Sequence, residues 1–197
     1  DLQASLNIDA LYGLPYQTLA EQLLGEMGLL DHAARPAGTL EGMSAPCGEL
    51  VPKRGRIVPL RRGVAEGPLV GGNLTLLTCL VGTRHLPSLD GALLFLEDVG
   101  EDLYRVDRML AQLRMAGLLQ RVAGVLVGQF TELKRGTSDG ALGFDEVLAT
   151  YLEPLGVPVA YGFPFGHVDD QWTLPIGVRA RLDAGAGSLE LLDPAVG

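Results

Sequence analysis

Between Leu93 and Leu110 the sequence LLFLEDVGEDLYRVDRML drives a short apolar run into two adjacent carboxylates, Glu97 and Asp98, and then opens an amphipathic helix. An apolar run of strand length without polar alternation must be covered on both faces, and a helix following within a few residues begins a βαβ unit. The texture repeats downstream. Residues 92–96 read as a buried strand, 106–122 as a helix with Val106, Met109, Leu110, Leu113 and Leu118 inward, and 122–130 as a second strand. A helix over 144–155, carrying Phe144, Val147, Leu148, Tyr151 and Leu152 on one face, leads to a third strand at 157–161. Strands alternating with helices predict an α/β domain with parallel pairs in its sheet. The tail departs from this rule: VRARLD, AGAG and SLELLD predict an antiparallel hairpin across a glycine-rich turn.

Upstream the signals are weaker. Leu19, Leu23, Leu24, Met27 and Leu30 recur at helical spacing and predict a helix over 16–30. From 31 to about 68 the pattern dissolves into Gly, Pro and Arg, which reads as an irregular connector holding one or two edge strands such as 56–60. Its cations, Lys53, Arg54, Arg56, Arg61 and Arg62, read as a solvated loop or strand edge. Gly71-Gly72-Asn73 then introduces a buried helix over 74–81. Residues 1–66 are thus expected to be a linker region and 67–197 the domain proper, within a length of 197 residues that suits one domain with an arm. With 24 acidic against 15 basic residues the net charge is −9, which argues against nucleic acid and anionic membranes as partners. No apolar run approaches the roughly 18 residues that span a bilayer. Cys47 and Cys79 read as two buried thiols without a disulfide or a zinc-ligand spacing.

In open α/β sheets ligands collect beyond the carboxyl ends of the parallel strands. Glu97 and Asp98 follow the first predicted strand, and His167, in YGFPFGHVDDQWTLPIG, follows the third, so order alone places them on one edge. A carboxylate bonded to an imidazole fixes its tautomer and stabilises the imidazolium, two parts of a hydrolytic triad. The competing reading has Glu97 or Asp98 capping a turn or pairing with Arg105 or Arg108. His32 and His85 have no neighbour that argues for chemistry. No convincing nucleophile is found: Ser44, in GMSAP, has proline where a nucleophile elbow needs glycine, and no strand precedes it. Glu97, Asp98, Glu101, Asp102, His167, Asp169 and Asp170 show no recognised metal-ligand spacing. Gly71-Gly72-Asn73 could present backbone N–H groups to an anion, or simply start a helix.

Taken together, AEGPLVGGNLTLL, LFLEDVGEDLYRVDRMLAQL and FGHVDDQWTLPIG, in this order and spacing, resemble the C-terminal half of the LD-carboxypeptidase family, which includes murein tetrapeptide carboxypeptidases and microcin-immunity peptidases. The resemblance runs from about Ala65 to Asp193. It implies a swivelling-type α/β domain with a curved, mixed, partly barrel-like sheet, flanking helices and a C-terminal hairpin. It also implies a Ser-Glu-His triad, in which Glu97 matches the glutamate of the family's L-E-D motif and His167 the histidine of its G-H motif. The family's serine lies in an N-terminal flavodoxin-like domain within G-[FY]-S-D-[IL]-T, a string not found here, so the expectation is a chain lacking that domain and inactive alone. The resemblance further implies a cytoplasmic enzyme without cofactor or metal that releases D-alanine from murein tetrapeptide in peptidoglycan recycling. Its expected partners are that peptide, the N-terminal domain and a second copy in a homodimer. Asn73, Asp98, Glu101 and Arg105 are expected rim groups for a zwitterionic peptide. The alternatives are a microcin-immunity peptidase acting on aminoacyl-nucleotides, and a non-catalytic binding or dimerisation domain.

Overall fold

The computed structural model describes residues 57–134, 143–169 and 171–195. The helix expected over 16–30, Ser44 and Cys47 lie outside them. One seven-stranded sheet organises the described residues, in the order β1-β5-β4-β3-β2-β6-β7. Its strands are β1 (Val58–Arg61), β2 (Val64–Asn73), β3 (Leu93–Val99), β4 (Gly124–Thr131), β5 (Val159–Tyr161), β6 (Arg179–Asp183) and β7 (Ser188–Leu191). The central pairs β2–β3, β3–β4 and β4–β5 are parallel, while β1–β5, β2–β6 and β6–β7 are antiparallel. The mixed sheet and the C-terminal hairpin thus match the expected fold class.

Three helices connect the parallel strands: α1 (Leu74–Cys79), α2 (Leu103–Met115) and α3 (Phe144–Leu152). Their apolar stripes, among them Leu74, Leu77, Val106, Leu110, Leu113, Val147 and Leu148, cover one face of the sheet, onto which Leu94, Leu96, Val125, Val127 and Val159 project. Alternation along each strand sends Leu69, Leu93, Phe95, Leu126 and Ala160 to the opposite face. There they meet the β6–β7 hairpin and an irregular segment bearing Phe163, Phe165, Trp172 and Leu174.

Some boundaries differ from the sequence expectation. The helix expected over 106–122 begins at Leu103 and stops at Met115, where Leu118 N closes on Leu113 O at 3.0 Å, and a short 3₁₀ turn over Leu119–Arg121 follows. Within the connector expected to run to about 68, residues 58–61 form β1, and β2 is a ten-residue strand that extends back to Val64. Gly67, Pro68, Gly71 and Gly72 give β2 little intrinsic strand signal. Its partners determine it instead: residues 64–68 pair with β6 and residues 69–73 with β3, so the strand joins the hairpin to the parallel centre. Cys79, expected to be buried, is exposed, and His85, read as a turn residue, is 4% exposed.

Candidate active site

β3 continues to Val99, so Glu97 and Asp98 sit inside the strand rather than after it. Adjacent strand residues face opposite ways, and the two carboxylates accordingly do different things.

Asp98 faces the helices and is 3% exposed. Its Oδ2 accepts hydrogen bonds from Thr75 N (3.0 Å) and Thr75 Oγ1 (2.9 Å), and its Oδ1 from Asn73 Nδ2 and Val99 N, both at 2.9 Å. Asn73, the N-cap of α1, accepts from Leu76 N at 3.1 Å. Asp98 and Asn73 together satisfy two of the orphan donors of the first turn of α1, Thr75 N and Leu76 N, and tie that helix to β3. Glu101 joins this network through Thr75 Oγ1, 3.2 Å from its Oε1. Arg105, half-exposed near the start of α2, lies 3.5 Å from Glu101 and 3.4 Å from Asp102, with its guanidinium over the Tyr104 ring. The four expected rim residues are thus linked in one group, and Asn73, paired with Glu97 across β2 and β3, also pulls the Glu97 carboxyl downwards. Asn73 and Asp98 are interior members of it, and Glu101 and Arg105 lie nearer to solvent.

Glu97 faces the other way and is 2% exposed. Its Oε2 stands 2.9 Å from Nδ1 of His167, whose side chain is 33% exposed. This meets the separation of about 2.6–3.2 Å that a working carboxylate–imidazole pair requires. Burial pushes the Glu97 carboxyl above the usual glutamate range, and the hydrogen bond and charge of His167 pull against that rise. A carboxylate so poorly solvated gains most from an imidazolium beside it, the state an imidazole reaches on taking a proton. With Nδ1 engaged, Nε2 is the nitrogen left for proton transfer.

His167 reaches Glu97 because β4 bulges beside it. Leu96 pairs with Val127 but Asp98 with Phe130, so β4 spends one extra residue over this step. At the bulge, Gln129 N donates to Phe165 O (2.8 Å) and Val127 O accepts from Gly162 N (2.9 Å), which lays segment 162–166 against β4. Gly166, at φ +111°, fills the gap between them: a Cβ there would lie 2.9 Å from Glu97 Oε2 and 3.0 Å from Gln129 O. Phe163, Phe165 and Trp172 pack as an aromatic group beneath the histidine, Phe165 edge-on to Phe95 with ring centres 5.8 Å apart. Sequence reading singled out Glu97 and His167 but not this cradle. The polar Gln129 interrupting the apolar run GVLVGQFT was its only visible trace. Among the described residues the large exposed hydrophobics are Val64, Tyr104 and Met115, of which Tyr104 lies at the start of α2, just beyond the carboxyl end of β3.

A buried carboxylate locking a solvent-reaching imidazole at the carboxyl edge of a parallel sheet can move a proton at Nε2. Comparison with known proteins assigns the class. The family described as LD-carboxypeptidase C-terminal domain matches residues 66–182. A Bacillus subtilis protein named "Probable murein peptide carboxypeptidase" is 40% identical over 139 residues, which are 71% of this chain and 40% of that protein. The murein tetrapeptide carboxypeptidase of Pseudomonas aeruginosa is 36% identical over 121 residues, 60% of this chain and 38% of that protein. The crystal structure of muramoyltetrapeptide carboxypeptidase from Oxalobacter formigenes superimposes with a TM-score of 0.64 at 33% identity, covering 92% of this chain and 72% of that one. The chain belongs to the LD-carboxypeptidase family, whose members are carboxypeptidase hydrolases, and it spans less than half the length of the two sequence relatives. Among the described residues no helix is long and apolar enough to cross a membrane, and no group of three or more His, Cys, Asp and Glu side chains is placed to hold a metal.

Proposed function

We propose that the full-length protein is a serine-type LD-carboxypeptidase that releases the terminal D-alanine from murein tetrapeptide in the cytoplasm, with Glu97 and His167 as two members of its triad. The observation that carries this reading is the 2.9 Å contact between a 2%-exposed carboxylate and an imidazole that reaches solvent. The serine would come from elsewhere in the protein. Of the two serines among the described residues, Ser88 precedes β3, at its far end, where it donates to Asp90, and Ser188 opens β7 in the hairpin.

In this mechanism the serine hydroxyl attacks the carbonyl of the L,D-peptide bond as His167 Nε2 takes its proton. Glu97 holds the ring in the tautomer with hydrogen on Nδ1 and stabilises the imidazolium. His167 then returns the proton to the departing D-alanine amine, leaving an acyl-enzyme, and activates the water that cleaves it. The test is D-alanine release from murein tetrapeptide by the purified full-length protein, with an aminoacyl-nucleotide substrate assayed alongside. Release that disappears in His167→Ala is expected. Activity that survives this substitution, or turnover of the aminoacyl-nucleotide alone, would overturn the reading.

A further inference from the structure

We propose that Gln129, at the bulge in β4, is a positioning residue for His167: its main-chain and side-chain donors both hold the segment that delivers the imidazole to Glu97. The inference rests in part on the peptidase reading above, because its kinetic arm needs that activity.

Gln129 never touches the imidazole in the structure. It grips the chain on the approach to it at two points, N to Phe165 O at 2.8 Å and Nε2 to Phe163 O at 3.0 Å. Gly166 alone separates Phe165 from His167, and it is seated between Gln129 O and Glu97. The segment has no ladder of its own, since β5 ends at Tyr161 and its internal bonds are local, Phe165 N to Phe163 O at 2.9 Å and Val168 N to Gly166 O at 2.9 Å. Packing of Phe163 and Phe165 sets depth but not direction, because hydrophobic contact is non-directional. Direction comes from the hydrogen bonds, and Gln129 makes the only side-chain one to residues 162–166 among those described.

The main-chain part of this grip continues a side already in use: Val127, two residues earlier, accepts from Gly162 N and Phe163 N, and alternate residues of a strand bond the same neighbour. The extra residue in β4 falls at this point, between the partners of Leu96 and Asp98. Gly128 beside it keeps Phe165 close, for a Cβ at position 128 would lie 2.4 Å from the Phe165 ring. Reacting groups displaced by about 1 Å can lose roughly 10²-fold in rate, so a clamp of this kind influences turnover without meeting substrate.

The test uses Gln129→Met, which keeps length and removes the donor. In the 197-residue chain the imidazole signals of His167 are followed by ¹⁵N NMR, with His85, 4% exposed and ahead of β3, as the internal control. Expected is a slowly exchanging Nδ1–H signal for His167 in the parent chain and its broadening or loss in Gln129→Met, with the His85 signals unmoved. In the full-length enzyme kcat should fall roughly 10- to 100-fold with KM within about twofold, the split expected when positioning rather than binding is lost. A His167 signal unchanged in the variant, or an unchanged kcat, overturns the proposal. If Gln129→Met does not fold, Gln129→Asn, one methylene too short to reach Phe163 O, is read by the same criteria. Should the parent enzyme not cleave tetrapeptide at all, the peptidase reading fails and the NMR result alone decides the role of Gln129.

Discussion

The two faces of the sheet are held by different physics. On the helical face α1, α2 and α3 lay periodic apolar stripes on the strands, an area-proportional interaction that tolerates small shifts. On the opposite face an irregular aromatic segment is fixed by individual hydrogen bonds and by two glycines whose missing side chains leave no slack. Both faces bury apolar side chains, and the second adds the geometry of the histidine. Glu97 and Asp98 straddle this division, one residue apart in β3, with Asp98 serving the helices and Glu97 the histidine.

The comparison breaks most sharply at that pair. In the full-length enzyme Glu97→Gln should lower kcat by roughly 10⁴. Asp98→Asn should leave most of the rate and instead lower the denaturation midpoint, since it weakens the cap on α1. Equal rate losses from the two changes would mean that the faces are not functionally separate.

Next in size is a contrast of packing. Leu113→Ala, at a fully buried position of α2, should cost about 2–5 kcal/mol of stability and leave kcat within a few fold. Gly128→Ala should cost less, about 1–3 kcal/mol by overpacking against Phe165, yet depress kcat far more because Phe165 carries the chain towards His167. Urea denaturation paired with initial rates separates the two, and the contrast is lost if stability and activity fall in proportion in both variants.

A smaller effect is expected in the pH dependence of stability. Glu97 binds its proton more tightly folded than unfolded, so its contribution is fully present below the unfolded glutamate value, about 4.3, and is lost as pH rises through the higher folded value. Glu97→Gln should therefore match the parent chain in melting temperature near pH 4 and exceed it at neutral pH. A melting-temperature difference that shrinks as pH rises would show that the His167 pairing outweighs the burial.

The smallest effect lies at the far end of β3, away from both faces. The Arg121 guanidinium, bonded to Asp90, and the Ser88 hydroxyl hold the Asp90 carboxyl down to about 2. A depressed carboxylate adds stability above its unfolded value that is lost as pH falls through the folded one. The pair lies at the surface, so its signature should be an NMR titration midpoint that rises towards about 3.9 in Arg121→Gln, with little change in melting temperature.

Much of the helical face was legible because periodicity is a local property. The stripe of Val106, Met109, Leu110 and Leu113 is written at helical spacing, and all four are buried. Glu97 and His167 were legible for a related reason: strand order alone puts the ends of parallel strands on one edge. β2 was not, because its pairing with β3 and β6 overrides the weak preference of Gly67, Pro68, Gly71 and Gly72. Nor was the division of labour between Glu97 and Asp98, since it depends on how far β3 extends.

What the sequence determined by itself is the α/β alternation, the C-terminal hairpin, and the placing of the carboxylate pair and His167 on one edge of the sheet. These follow from spacing and chain order, which any fold of this class must respect. Only the tertiary structure decided the bulge in β4, the grip of Gln129 on Phe163 and Phe165, and the seat of Gly166 against Glu97. A bulge leaves at most a weak trace within its own strand, here Gly128 and Gln129, because it is a mismatch in residue count between two strands and exists only once they pair.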